Sequence, residues 1–321
     1  MRALVWHGGA DLALEALPDP VPAAEEVLID IRLAGICGSD LHAYRGHPGP
    51  RQPPLVLGHE AIGTVDGLPG RYVVFPLVVC GACAACRRGE EHLCERRQLL
   101  GMHRAGVFAE RTAVPRDALL AVPDGLRDAD AALVEPLAVC LSALRPHALG
   151  PGRRLLVVGC GPIGLLTIHA ALAQGADVVA VEPVAERREA ARALGAPAVL
   201  ETVDAIKPEA ADVAVDAVGV QATWDAAIGG LRPGGELVLV GLGQATGPMP
   251  IADLVRRAIV VRGHFAYTRA DFAAALRMLS EHPPAGGWVE VMPLGAGAEA
   301  FARLSESPPR ATKILLEAQP A

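Results

Sequence analysis

The rhythm of apolar and polar positions along this chain changes near Arg153. Before about residue 130, apolar residues come in short runs broken by glycine and proline, as in "EEVLIDIRLAGIC", "AIGTVDG", "GRYVVFPLVV" and "FAERTAVP". In the first run Val27, Ile29 and Ile31 alternate with Leu28, Asp30 and Arg32. That period of two predicts a strand with one wet face, and the region as a whole reads as mostly β. From Arg153 the pattern becomes strand then helix, repeated: "RRLLVVGC", "PIGLLTIHAALAQG", "DVVAVE", "AERREAARALG", "ADVAVDAVG", "QATWDAAIGGL", "ELVLVGL". Apolar runs of this length followed by helical patterns predict a parallel sheet covered by helices. From about Ala266 the tail adds the helix-like "ADFAAALRMLSE", a short helical "GAEAFARL" and a closing strand "ATKILLE".

A length of 321 residues, 51% of them hydrophobic, suits two cores better than one, a mostly β one followed by a strand–helix one, which makes the chain α/β in class. The net charge of -7 and the absence of like-charge blocks leave no basic footprint for nucleic acid, so small-molecule chemistry is expected. Residues 155–176 carry no charge, long enough by count for a membrane helix. Gly159, Gly161, Pro162 and Gly164 interrupt that run, which therefore reads as strand, turn and buried helix, with no membrane partner. The N-terminus has no apolar stretch ahead of a cleavage site, and a cytoplasmic location is the expectation.

Four of the seven cysteines fall in "CGACAACRRGEEHLC": Cys80, Cys83, Cys86 and Cys94. Thiolates two residues apart on a tight turn converge on one tetrahedral ion, and the intervening glycine and alanines leave the backbone free to wrap. A disulfide framework belongs to small secreted domains, so structural zinc is the reading, with redox thiols as the alternative. Four sulfurs close the coordination sphere and leave such an ion no chemistry. Cys37, in "GICGSDLHAYRG", and His59 and Glu60, in "VLGHEAIG", offer a sulfur, a nitrogen and a carboxylate. That mixed set is compatible with a catalytic zinc that keeps one position open, although each residue alone has an ordinary packing or surface role.

The run "LLVVGCGPIG" carries Gly159, Gly161 and Gly164 in a G-x-G-x-x-G array between a strand and a helix. The first glycine permits a tight turn, the second lets the backbone approach a pyrophosphate, and the third packs helix on strand. With Pro162 and Ile163 they open the helix, where unpaired N–H groups favour an anion. Glu182 closes the next strand, eighteen residues past Gly164, where a carboxylate can accept hydrogen bonds from a ribose diol. It would repel a 2'-phosphate, so NAD is expected over NADP. Arg187 and Arg188 follow closely and offer a phosphate partner.

Taken in order, "GICGSDLH", "GHEAIG", the four cysteines, "VEPLAV", "GCGPIG", "LRPGGELVLVG" and "KILLE" resemble the zinc-containing medium-chain dehydrogenases over nearly the whole chain. The resemblance is to the alcohol, polyol and threonine dehydrogenase superfamily, in its sorbitol dehydrogenase-like branch. It implies a GroES-like catalytic domain over residues 1–135 and 266–321, with a structural-zinc lobe near 80–94. A Rossmann NAD-binding domain over 136–265 would interrupt it. It further implies two zinc ions per chain: one on the four cysteines, and one held by Cys37, His59 and Glu60, with Glu135 of "VEPLAV" as a second carboxylate that ligates the metal or its water. Ser39 and His42 match the family's proton relay, and Asp40 is left to local hydrogen bonding. The activity implied is hydride transfer between NAD and a secondary alcohol or ketone: a sugar alcohol, a sugar acid or an amino-alcohol. A homodimer or homotetramer, paired through Rossmann sheet edges near "GHF", is implied as well.

The departures from the family pattern carry information too. Ala43 and Ala266 stand where polyol-oxidising relatives have an aromatic and an arginine, with Tyr44 and Tyr267 adjacent, which points away from sorbitol. The segment "ETVDAIKPEAADV" is shorter than the usual strand-to-strand excursion. Two rival functions are a zinc-free quinone or enoyl reductase of the same superfamily and a non-catalytic nucleotide-sensing protein. The retained ligand and relay residues argue against both.

Overall fold

The strand Glu26–Gly35 organises the first part of the molecule: Val27, Ile29 and Ile31 are buried while Leu28, Asp30 and Arg32 are half-buried, as their alternation predicts. The structure is a computed structural model that describes residues 1–307, 309 and 311–318. One unit comprises Met1–Glu135, Thr268–Pro283 and Val289–Ala321, the other Pro136–Tyr267 and Pro284–Trp288.

In the first unit, Glu26–Gly35 pairs antiparallel with Glu60–Val65 on one side. On its other side it meets Arg111–Pro115 along its first half and Lys313–Glu317 along its second. Leu68–Val74, Leu119–Val122 and Val289–Pro293 complete a seven-stranded sheet. Its apolar face joins Trp6, Leu57, Phe108 and Phe301 in one core, where the rings of Phe108 and Phe301 meet edge to face at 5.9 Å. Such an arrangement adds to area burial because ring edges and faces carry opposite partial charge. A short hairpin, Leu77–Val78 with Gln98–Leu99, frames the cysteine lobe. The helix Arg269–Glu281 starts at a capping box: Thr268 Oγ1 accepts from Asp271 N–H, and the Asp271 carboxylate accepts from Thr268 N–H at 3.0 Å.

Six parallel strands make the second unit, in the order Ala198–Leu200, Asp177–Val181, Arg154–Val158, Ala211–Asp216, Leu231–Leu239, Val260–Gly263. The uncharged run resolves into the strand Arg154–Val158, a turn and the helix Pro162–Ala173, which buries Leu165, Leu166, Ile168, Ala170 and Ala171. Among the described residues no helix is long and apolar enough to cross a membrane. The strand order reverses beside Arg154–Val158, and in such sheets the carboxyl ends of the strands at that point are where ligands bind.

Candidate active site

Strand pairing in the first unit delivers three metal-ligating groups to one place. Glu60 opens the strand Glu60–Val65 opposite Gly35, and His59 precedes it. Cys37 follows the far end of Glu26–Gly35 and caps the short helix Gly38–Tyr44, where its N–H donates to Asp40 Oδ2 at 3.2 Å. One ligand atom from each of Cys37, His59 and Glu60 lies within 4.8 Å of the others. His59 and Glu60 are almost fully buried, and among the described residues His59 Nδ1 and Glu60 Oε1 have no hydrogen-bond partner. Buried polar atoms without partners cost free energy unless something else satisfies them, and a soft–borderline donor set of S, N and O suits zinc. Burial first, then the negative charges of Glu60 and Asp40, push the Cys37 thiol up to about 11. A cation there reverses that balance and takes the thiolate. The residues present fit the metal.

Glu60 is held from behind by two residues that the sequence did not flag. Its Oε2 accepts a hydrogen bond from Lys313 Nζ, which also donates to Ile36 O at 2.9 Å. Gly35 makes room for this arrangement, since a Cβ on it would stand 2.0 Å from Glu60 Oε2. Lys313 was legible as a signal: one of only two lysines in the chain, it heads the apolar strand "KILLE". A third unflagged residue is Arg51, 5% exposed. It donates to Ser39 Oγ at 3.2 Å, Asp40 Oδ1 at 3.3 Å and Gly101 O at 2.9 Å. Asp40 also accepts from Cys37 N–H, so Arg51 and Asp40 tie the Ser39 hydroxyl to the backbone of the Cys37 ligand, with His59 Nδ1 3.8 Å from Asp40 Oδ1 and beyond hydrogen-bond reach.

Ser39 and His42 lie three residues apart on the helix Gly38–Tyr44 and so share a face. Burial first, then the positive charges of Arg45, His47 and Arg51, hold His42 below its ordinary value of 6.5. Its imidazole is therefore neutral, and able to accept a proton, at neutral pH. Glu135 sits in the first turn of the helix Val134–Leu144, 8% exposed, and is not one of the residues whose ligand atoms converge with Cys37.

In the cysteine lobe Cys80, Cys83, Cys86 and Cys94 also bring their sulfurs within 4.8 Å of one another. Individual sulfur pairs stand 3.5 to 3.9 Å apart: Cys80 to Cys94 at 3.5 Å, Cys83 to Cys86 at 3.5 Å, Cys80 to Cys86 at 3.9 Å. Sulfurs tetrahedral about zinc at about 2.3 Å would be about 3.8 Å apart. All four are free thiols, not disulfides. Hydrogen bonds from backbone N–H groups, Ala82 first and then Cys83, pull the Cys80 thiol down to about 5.

In the second unit Gly159 adopts φ +91°, a left-handed conformation that glycine takes without strain. A Cβ on Gly164 would stand 1.8 Å from Gly159 O, while one on Gly161 would meet nothing within 4 Å. The turn is thus tight where helix meets strand and open where a pyrophosphate would approach. Pro162 and Ile163 begin the helix, and Arg187 lies in the next one, Ala185–Ala193, with its Nε buried and without a partner among the described residues. Glu182 is 3% exposed, and its oxygens accept from Cys160 N at 2.7 Å and Val184 N at 3.0 Å. Each oxygen keeps a second lone pair for a ribose hydroxyl. Cys140 and Cys160 are buried packing thiols, the latter pushed up to about 12 by burial and then by Glu182.

Residues 23–124 match the family model of the alcohol dehydrogenase GroES-like domain, and residues 162–281 match that of the zinc-binding dehydrogenases. Fold and site together define an oxidoreductase of alcohols and ketones built from a GroES-like domain and a Rossmann sheet. The L-galactonate-5-dehydrogenase of Escherichia coli is 34% identical over 299 residues, 88% of this chain and 88% of that one. The sorbitol dehydrogenase of Bacillus subtilis is 34% identical over 293 residues, 83% of this chain and 82% of that one. Among solved structures, the acetophenone reductase of Geotrichum candidum in complex with NAD matches with a TM-score of 0.90 at 28% identity, covering 98% of this chain and 96% of that one. The chain belongs to the zinc-type medium-chain dehydrogenases, in their sorbitol dehydrogenase-like branch.

Proposed function

We propose that this chain is a two-zinc, NAD-linked dehydrogenase that interconverts a polyhydroxylated secondary alcohol and its ketone. The observation that carries the reading is the convergence of Cys37, His59 and Glu60, with one Glu60 oxygen tied to Lys313 and the other left buried without a partner. In this reading residues 1–135 and 266–321 supply the metal chemistry and residues 136–265 hold the cofactor. Cys37, His59 and Glu60 would hold a zinc ion that would supply the Lewis acidity to lower the pKa of an alcohol hydroxyl, and the dinucleotide site would hold the hydride acceptor. Ser39 accepts the alcohol proton and His42, held neutral, carries it toward solvent. Arg51 fixes the Ser39 hydroxyl in place, and Glu135 is assigned to the metal's water or to the place Glu60 yields in turnover. Cys80, Cys83, Cys86 and Cys94 hold the second, structural zinc. Gly159, Gly161, Pro162, Ile163 and Gly164 hold the pyrophosphate, and Glu182 takes the ribose diol in preference to a 2'-phosphate, with Arg187 beside it.

A sugar acid, as in the L-galactonate-5-dehydrogenase relative, is favoured over the sorbitol of the Bacillus relative because of Ala43 and Ala266. Reduction of NAD with a panel of sugar acids, sugar alcohols, amino-alcohols and simple secondary alcohols tests the reading. Turnover of at least one class is expected; no turnover of any, in protein carrying both metals, would refute it.

The edge strand Val260–Gly263 and the exposed Ile251, Val255 and Phe265 support self-association through this sheet edge into a dimer or tetramer. Light scattering of Val255→Glu should show a smaller species than the wild type. A wild type that is already monomeric would contradict it.

A further inference from the structure

The shortened excursion between the strands Ala198–Leu200 and Ala211–Asp216 has a structural consequence in the second unit. Those strands flank two others, Asp177–Val181 and Arg154–Val158, so the connection has to cross both. Within residues 201–210 its regular structure is one short turn, Val203–Ala205. The helices Pro162–Ala173 and Ala185–Ala193 belong to right-handed crossovers on the opposite face, and Gln221–Gly230 covers the sheet farther along. Register places Leu156 beside Val179 and Val179 beside Ala198, all on the face that the short connection spans. Arg154, Asp177 and Leu200, two residues away along their strands, share it. Over these residues lies a cavity of about 350 Å³, lined also by Ile206, Lys207 and Gly230. That volume falls within the range of small-ligand pockets.

The chemistry of the lining selects the ligand. Its floor is aliphatic: Leu156, Val179, Ala198 and Leu200. At the rim Arg154 and Asp177 neutralise each other at 2.7 Å. Lys207 is exposed and makes no hydrogen bond or ion pair among the described residues. A lysine whose stem lines an apolar wall keeps its ammonium in water at the mouth. The pocket thus presents an apolar floor with one uncompensated positive charge at its edge. We propose that it binds a small aliphatic carboxylate, with the chain over Leu156, Val179 and Leu200 and the carboxylate at Lys207. The pocket's charged rim lies away from the dinucleotide turn, because Arg154 and Asp177 begin the strands whose far ends lead to Gly159 and Glu182, while Leu200, whose O accepts from Glu182 N at 3.0 Å, brings the apolar floor up to the ribose-reading strand end.

Calorimetric melting of the full chain with octanoate, octan-1-ol and octyltrimethylammonium tests this assignment. Octanoate should raise Tm saturably, with the rise additive to that caused by NADH, because a ligand that binds only the folded state stabilises it by mass action. Lys207→Glu, an exposed substitution, should weaken octanoate roughly five-fold or more while leaving octan-1-ol unchanged. Ala198→Trp, which fills the cavity, should abolish the response to both. The proposal fails if octanoate produces no saturable rise, if octyltrimethylammonium matches it, if Lys207→Glu leaves it unaltered, or if NADH competes with it. A change of oligomeric state in Ala198→Trp would assign the face to a second copy of the chain and equally overturn it.

Discussion

Glu60 and Lys313 form a hydrogen-bonded ion pair, each side chain 1% exposed, between residues 253 positions apart in sequence. The pair joins the strand that begins at Glu60 to the one that begins at Lys313, across the Glu26–Gly35 strand that both flank. With the Cys37 site stripped of metal, removing Lys313 leaves the Glu60 carboxylate buried with neither water nor counter-charge. Lys313→Met should therefore destabilise protein whose Cys37 site has been emptied by mild chelation by about 3–5 kcal/mol in denaturant unfolding. The double variant Lys313→Met with Glu60→Gln should recover much of that loss, because it removes both charges. Equal stability of the single variant and the wild type would show that the pair contributes nothing.

Gly35 supplies the space for that pair, and Gly35→Ala should displace the Glu60 carboxylate. The expected result is weaker retention of the metal at Cys37, read as faster loss of zinc to a chelator, with far-UV circular dichroism unchanged. Unaltered zinc release would mean that the carboxylate's position is irrelevant to metal binding.

In the proposed relay, His42 gives the reaction its pH dependence. Burial and the neighbouring Arg45, His47 and Arg51 lower it from 6.5, so the neutral, proton-accepting form persists into mildly acidic solution. Alcohol oxidation through this relay should lose activity on the acid side with a midpoint below 6.5, the ordinary imidazole value. His42→Ala should lose that limb and fall by about a hundred-fold near neutral pH, with partial rescue by small imidazole bases. An identical pH profile for variant and wild type would remove His42 from the proton path.

In the proposed function, cofactor choice rests on Glu182. The wild type should show higher kcat/KM with NAD than with NADP, and Glu182→Ala should narrow or reverse that ratio chiefly by raising KM for NAD. Hydrogen bonds to a charged group are worth about 1.5–3 kcal/mol, so a ten-fold or larger rise is expected. A wild-type preference for NADP would show that Glu182 does not read the ribose.

Much of this was legible in sequence because it is local. Period-two alternation located the strand Glu26–Gly35, the Gly159 turn announced itself by spacing, and the four cysteines fell within one lobe. What escaped were relationships set by long-range strand pairing. Nothing near Glu60 in sequence indicates Lys313, because only the closing strand brings the ammonium behind the carboxylate. Gly35 resembles any glycine at a strand end until the register places Glu60 opposite it. Arg51 sits in a proline-rich loop whose sequence suggests exposure, yet its guanidinium is buried against Ser39, Asp40 and Gly101. Glu135, carried by a motif, did not join the three converging ligands.

Zinc content per chain, measured on freshly purified wild type and on Cys37→Ser, tests the central claim most directly. An ion in the cysteine lobe would be held by four local thiolates and should resist mild chelation, whereas one on the mixed Cys37, His59 and Glu60 set would keep an open position. Two zinc ions are predicted in the wild type and one in Cys37→Ser, with oxidation of alcohol by NAD abolished in the variant while its far-UV circular dichroism stays intact. A folded wild type holding one zinc or none, or a Cys37→Ser variant that retains activity, would contradict the account.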